Sequence, residues 1–339
     1  MNPELQKRAI GQMQAVAELN VAFVGVATGA IDALAEGPKD LGGLASAIGG
    51  DEAYVRRWLD AAYASLLVER VGDPPRFELS DLGRAYASGT PGTLMPFAVQ
   101  AVLGAHMAER AATLTASGER PGESVLAERP SILPLFGPML EHSFGPLFER
   151  VVSEAVPIFG EVDAAGGLAI DLGCGNGWYL RKLAKRYPHL RGIGLDGFAT
   201  NVAQASALAE AEGLGDRLRF SEGDIHHFTV DEPASLIAMN RALHHVWAER
   251  DNVFRILREH LAPGGAAVIW EPVWPADPSE LRSHPRYRGI AFQNLSEHVQ
   301  GNHFLRPEEI AEGLEEAGLT ATIYRLVEGT EAVVVGRKR

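Results

Sequence analysis

An open, mostly parallel α/β sheet of seven strands behind a smaller helical unit is the fold this chain predicts, and three strand ends predict it. Leu168-Ala169-Ile170-Asp171-Leu172 is an apolar run carrying one acid, and Gly173-Cys174-Gly175-Asn176-Gly177 follows with three glycines in five positions. A helical segment then starts at Trp178. This reads as a buried parallel strand, a tight turn and a helix start, with glycine where backbone must approach a ligand without a Cβ in the way. Gly192-Ile193-Gly194-Leu195-Asp196 is a second strand with an acid at its end, nineteen residues after Gly177. A doubly wound fold places the carboxylate that receives ribose hydroxyls there. Arg219-Phe220-Ser221-Glu222-Gly223-Asp224 is the third. Acids and glycines cluster at ordinary strand ends too, but three in order at β-α-β spacing favour one shared ligand site. The turn lacks the Gly-Lys-Ser/Thr of a phosphate loop and the strict dinucleotide spacing, and an acid just before the glycines suits a cationic ligand better than a pyrophosphate.

The other elements follow in order. Residues 1–95 read as a small helical domain with a wing. A short helix over 40–49 has a glycine stop, and a longer amphipathic helix over 52–67 sets Val55, Leu59, Ala62, Tyr63 and Leu66 on one face. Val68-Glu69-Arg70-Val71, a Gly-Asp-Pro-Pro turn and Phe77-Glu78-Leu79-Ser80 then make a hairpin. Residues 96–160 are helical, broken by Gly- and Pro-containing turns. Phe136, Met139, Phe144 and Phe148 there are candidates for a substrate pocket or for plain helix packing, and Arg129 is the candidate partner for an anion or else a surface charge. From 161 to 339 strands alternate with helices, at 168–172, 192–196, 218–221, 234–239, 266–271, 321–326 and 332–336, the last two close enough to form an antiparallel pair.

Composition narrows the function classes. The chain has 339 residues, 46% of them hydrophobic, so a large core and two domains are expected. A net charge of −13 argues against a nucleic-acid surface. The single cysteine, Cys174, excludes an internal disulfide framework and fits a reducing, cytoplasmic setting. No run of about 18 consecutive apolar residues predicts a membrane span, and residues 1–8 lack the layout of a signal peptide.

The 168–177 pattern resembles motif I of the class I S-adenosylmethionine (SAM) methyltransferases. That likeness implies a Rossmann-like methyltransferase sheet in which Asp171, Gly173, Gly175 and Gly177 hold the methionine part of SAM. Asp196 would take the ribose, Asp224 and Ile225 the adenine, and Asn240 would complete the cofactor site. The N-terminal pattern resembles the winged-helix dimerisation domain of plant-type and antibiotic-pathway small-molecule methyltransferases, which implies a homodimer. Only Arg56 and Arg57 are basic on the longer helix, beside Asp51, Glu52 and Asp60, so dimerisation is preferred to DNA binding. The helices of 96–160 would cover the active site.

After the fourth strand comes Asn240-Arg241-Ala242-Leu243-His244-His245-Val246-Trp247. It resembles the His-x-Trp region of plant-type O-methyltransferases. His245 then takes the catalytic place, suited to a general base near neutral pH, and His244 is a neighbour that points elsewhere. A long segment before the helix at 307–317 holds Glu297-His298 and His303. The α-keto acid C-methyltransferases of antibiotic pathways carry two metal-binding histidines at corresponding places. That resemblance implies one iron or zinc ion on His245 and His298, with SAM methylating C3 of a chelated 2-oxo acid such as 4-methyl-2-oxovalerate or phenylpyruvate. Arg241 is a candidate for the substrate carboxylate or for an ion pair within the fold. Trp274, Phe292 and Phe304 would favour an apolar acceptor. Spacing alone does not make a metal motif of two histidines 53 positions apart. His303 is a rival ligand, and Glu297 a rival as the orienting acid of a metal-free O-methyltransferase with His245 as base. A SAM-sensing winged-helix binding protein is the third reading.

Overall fold

In a computed structural model, residues 2–339 are described. The chain falls into two compact units: residues up to Arg110 with Val125–Ser143, and Ala111–Ser124 with Phe144–Arg339. The stretch 96–160 is thus shared between them.

The N-terminal unit starts with the helix Pro3–Ala27, capped by the Asn2 side chain, which accepts from the Glu4 N–H. Asp40 caps Leu41–Ile48, which stops at Gly49 with φ 61°. Asp51 accepts from the Ala53 and Tyr54 N–H groups and starts Glu52–Ala64. Such caps satisfy N–H groups that have no partner within the helix. Val55, Trp58, Leu59 and Ala62 face the core of this unit, with Ile31, Leu34 and Leu44. Tyr63 and Leu66, expected on that face, are exposed. The helix stops at Ala64 and Leu66 turns left-handed at φ 58°, which takes it off the buried stripe, while Tyr63, within the helix, falls about a quarter-turn to the side of the stripe set by Val55, Trp58, Leu59 and Ala62. Strands β1 (Val68–Val71) and β2 (Arg76–Leu79) form the expected antiparallel hairpin. Among the described residues one helix, Pro3–Ala27, is long and apolar enough to cross a membrane by length and composition, though it carries Glu4, Lys7, Arg8 and Glu18.

The second unit holds the seven-stranded sheet: β3 (Leu168–Leu172), β4 (Arg191–Asp196), β5 (Leu218–Glu222), β6 (Ala234–Asn240), β7 (Leu261–Pro272), β8 (Thr320–Leu326) and β9 (Glu331–Arg337). Their spatial order is β5-β4-β3-β6-β7-β9-β8. The first five run parallel, and β9 enters antiparallel between β7 and β8. Successive strand residues point to opposite faces. Ala169, Leu236, Ala238 and Val268 accordingly feed one core, and Leu168, Ile170, Ile237 and Ile269 the other. The order reverses beside β3, where β4 lies on one side and β6 on the other. A ligand of an open α/β sheet binds at the carboxyl ends of the strands at such a point.

Candidate active site

The glycine turn is built onto the end of β4. The Gly173 and Cys174 N–H groups both donate to the Leu195 carbonyl, at 2.8 and 3.0 Å. Gly177 has φ 72°, and a Cβ there would lie 2.6 Å from the Phe220 ring. Gly175, at φ 54°, faces open space. Backbone is therefore bare where a ligand would lie.

Three carboxylates behave differently around this turn. Asp196, buried at the end of β4, accepts from the Gly175 N–H (2.8 Å), the Phe198 N–H (3.0 Å) and Asn201 Nδ2 (3.0 Å). Asp171 is buried within β3 and accepts from Asn240 Nδ2 at 2.9 Å. Burial pushes its pKa from 3.8 up to about 8, against the Asn240 hydrogen bond and with the Asp196 charge adding to the rise. Asp224 is exposed and caps the short turn Ile225–His227, accepting from the His226 N–H and facing His227 Nδ1, each at 2.9 Å. Asn240 Oδ1 is buried without a hydrogen-bond partner. A buried acceptor left open beside an acid fits a donor group on a ligand, as the cationic amino-acid end of SAM would supply. The residues present therefore fit SAM.

The chain after β6 takes a strained path. Arg241 has φ 54°, a left-handed conformation that non-glycine residues adopt at a cost. Its N–H donates to the Trp270 carbonyl, and its guanidinium meets both Glu331 oxygens at 2.6 Å and lies 3.7 Å over the Phe144 ring. Trp270 Nε1 donates to the same Glu331 carboxylate. Arg241 is thus the ion pair within the fold, not a free partner for a substrate carboxylate. Of the other candidates, Phe148 is in the core of the second unit, while Phe136 and Met139 pack in the N-terminal unit. Arg129 pairs there with His106 and Glu109.

Beyond Arg241, Glu271 near the end of β7 organises the next turn. One oxygen accepts from the Leu243 and His244 N–H groups, and the other lies 2.8 Å from His244 Nδ1. His244 is buried, which by itself disfavours its cation, but Glu271 and Glu297 overcome this and its pKa is pushed up to about 10. Phe304 packs edge-on against its ring.

His245 stacks 4.2 Å from His244 and remains partly open. Its Nδ1 lies 2.9 Å from Glu123 Oε1 and 2.8 Å from Asn302 Nδ2. The bond to His245 holds Glu123 below the usual carboxylate range despite burial. Glu297 approaches His244 Nε2 at 3.6 Å, and His244 holds its carboxyl low against burial. Donor atoms of His244, His245 and Glu297 lie within 4.8 Å of one another. His298, the ligand implied by resemblance, is exposed near the end of helix Pro285–Val299. Each residue turns a helix by about 100°, so with Glu297 facing His244 its successor faces outward. His303 is exposed as well. Three residues of this cluster escaped sequence reasoning as site members: Glu123, Glu271 and Asn302. Glu271 carries the same acid-at-strand-end signal that identified Asp196. Glu123, between Gly122 and Ser124, carries none.

A family model described as a methyltransferase domain matches residues 169–265. Acetylserotonin O-methyltransferase of Mus musculus molossinus is 30% identical over 283 residues, covering 75% of this chain and 69% of the relative. Trans-aconitate 2-methyltransferase of Streptomyces avermitilis is 30% identical over 174 residues, 48% of this chain, and the match spans 63% of that relative's length. The crystal structure of human N-acetylserotonin methyltransferase in complex with SAM superposes with a TM-score of 0.72 at 18% identity, covering 100% of this chain and 98% of that one. This last likeness is one of fold.

Proposed function

The chain belongs to the class I SAM-dependent methyltransferases, and from that premise we propose that it methylates a small-molecule hydroxyl from which His245 removes the proton. The observation that carries this reading is the pairing of His245 Nδ1 with Glu123, which leaves Nε2 without a hydrogen bond among the described residues. An imidazole held at one nitrogen by a carboxylate presents a lone pair at the other. As Nε2 takes the hydroxyl proton, the acceptor oxygen attacks the methyl carbon and the electrons of the breaking bond return to sulfur. Asp171, the turn Gly173–Gly175–Gly177, Asp196, Asn240 and the Asp224–Ile225 turn would hold the donor, which supplies the activated methyl group when bound. Acetylserotonin O-methyltransferase among the relatives supports oxygen as the acceptor atom. His245→Ala should keep SAM affinity, measured by calorimetry, and lower methyl transfer to a panel of phenols and alcohols about 100- to 10,000-fold. Undiminished transfer would remove His245 from the chemistry.

A second reading is supported by the His244, His245 and Glu297 cluster: C3-methylation of a metal-chelated 2-oxo acid. Two nitrogens and one oxygen suit iron or zinc. A metal bound there would act as a Lewis acid on the keto oxygen. Elemental analysis of untagged protein, with 4-methyl-2-oxovalerate and phenylpyruvate added to the acceptor panel, separates the readings. Chelator-resistant methylation of hydroxyls supports the first, and metal-dependent methylation of the keto acids the second.

A further inference from the structure

We propose that Glu123, which lies outside the Rossmann-like sheet, is the positioning residue that fixes the tautomer of His245, keeping the proton on Nδ1 and Nε2 free toward the acceptor. The inference rests on His245 being the working histidine. It extends that reading to a residue some 120 positions earlier in the chain.

Two groups compete for His245 Nδ1. Glu123 Oε1 lies 2.9 Å away, and the Asn302 side-chain amide 2.8 Å away. A donating Asn302 would require a lone pair on Nδ1 and a proton on Nε2, which would leave no base facing the acceptor. The same lone pair would then confront the Glu123 oxygen, acceptor against acceptor at hydrogen-bond distance. An ionised carboxylate cannot relieve that clash by rotating, since both its oxygens only accept. An amide can: a half-turn of its terminal torsion exchanges NH2 for oxygen, giving up the hydrogen bond Asn302 makes to Glu297. The arrangement that satisfies His245 and Glu123 puts the proton on Nδ1, directed at Glu123, and leaves Asn302 either to donate to Glu297 or to turn its oxygen toward the ring. Glu271 cannot do this work, because both its oxygens are committed to His244 and the backbone of 243–244. Glu297 is directed at His244. Glu123 is thus the carboxylate among these three that reaches His245.

The test reads the imidazole directly. In protein with 15N-labelled histidine, long-range 1H–15N spectra distinguish the two neutral tautomers, and the His245 signals are those lost in His245→Asn. The wild type is expected to show Nδ1–H. Glu123→Gln should move His245 to Nε2–H or to a mixture, and Glu123→Asp should restore Nδ1–H in part, while calorimetric SAM affinity stays within twofold in both. An Nε2–H tautomer in the wild type, or a Glu123→Gln spectrum unchanged from it, overturns the proposal. Because the wild-type spectrum alone can overturn it, a variant that fails to fold leaves the test intact. Once an acceptor is known, Glu123→Gln should lower kcat at least tenfold, since losing the acid behind a catalytic histidine leaves it in the wrong tautomer. If His245→Ala retains activity while Nδ1–H is observed, the base assignment fails and the positioning by Glu123 stands.

Discussion

Asp171 is enclosed within the catalytic unit, so replacing it by asparagine tests the cofactor site and the fold together. The groups facing it are Asn240 from β6, Asp196 from β4, and Cys174 and Tyr179 from the turn and helix that follow β3. Its pKa rises from 3.8 to about 8, chiefly through burial, which makes the charged form less favourable in the fold by something on the order of 5 kcal/mol. An acid with a raised folded pKa holds its proton more tightly folded than unfolded. Its contribution to stability is therefore complete below about pH 4, declines as pH rises, and is lost above about pH 8. An asparagine in its place would accept the same Asn240 hydrogen bond and would not titrate. The variant's melting temperature should exceed that of the wild type by a margin that widens from about pH 5 to about pH 8. Cofactor binding should move the other way. A cationic ligand favours the carboxylate, so below about pH 8 the wild type must lose a proton as SAM binds, and affinity should rise by up to about tenfold per pH unit. Asp171→Asn should bind SAM more weakly and without proton release. The assays are thermal melts across that range and calorimetry near pH 7 in two buffers of different ionisation enthalpy. Wild-type binding heats that do not depend on the buffer, with a melting gap that ignores pH, would refute the reasoning.

Asp196→Ala removes the acceptor of the Gly175 N–H as well as the expected ribose partner, and SAM affinity should fall about 10- to 100-fold by calorimetry. Glu271→Ala strips three donors and leaves the His244 cation with only the more distant Glu297, so denaturant unfolding should show a loss of about 3–5 kcal/mol. The helix Pro3–Ala27 exposes Leu5, Ile10, Met13 and Val16, so light scattering is expected to give a dimer mass. Met13→Glu with Val16→Glu should then shift the mass toward the monomer.

The sheet was legible because its signals are local. Apolar runs at 168–172 and 234–239 became β3 and β6, and the acids at 171 and 196 stand at the strand ends around the glycine turn. His245 was legible for the same reason, through Trp247 two positions on. Glu123 was not, because its loop carries no periodicity and its partner lies in a distant segment. The expectation for His298 went astray for a related reason. Resemblance brought the right stretch of chain to the site, but helical rotation decides which of two adjacent side chains points inward, and Glu297 rather than His298 does. Arg241 read as a possible substrate contact because its partner, Glu331, lies 90 positions away.

That separation also sets an order of events during synthesis. The glycine turn, Asp196, Asn240 and both histidines leave the ribosome before Glu331 does. Until β9 pairs with β7, Arg241 lacks the carboxylate that meets its guanidinium beside the left-handed turn, whereas Glu271, already present on β7, serves the backbone of 243–244 and His244. A growing chain thus carries the residues of the donor site before Arg241 can meet Glu331.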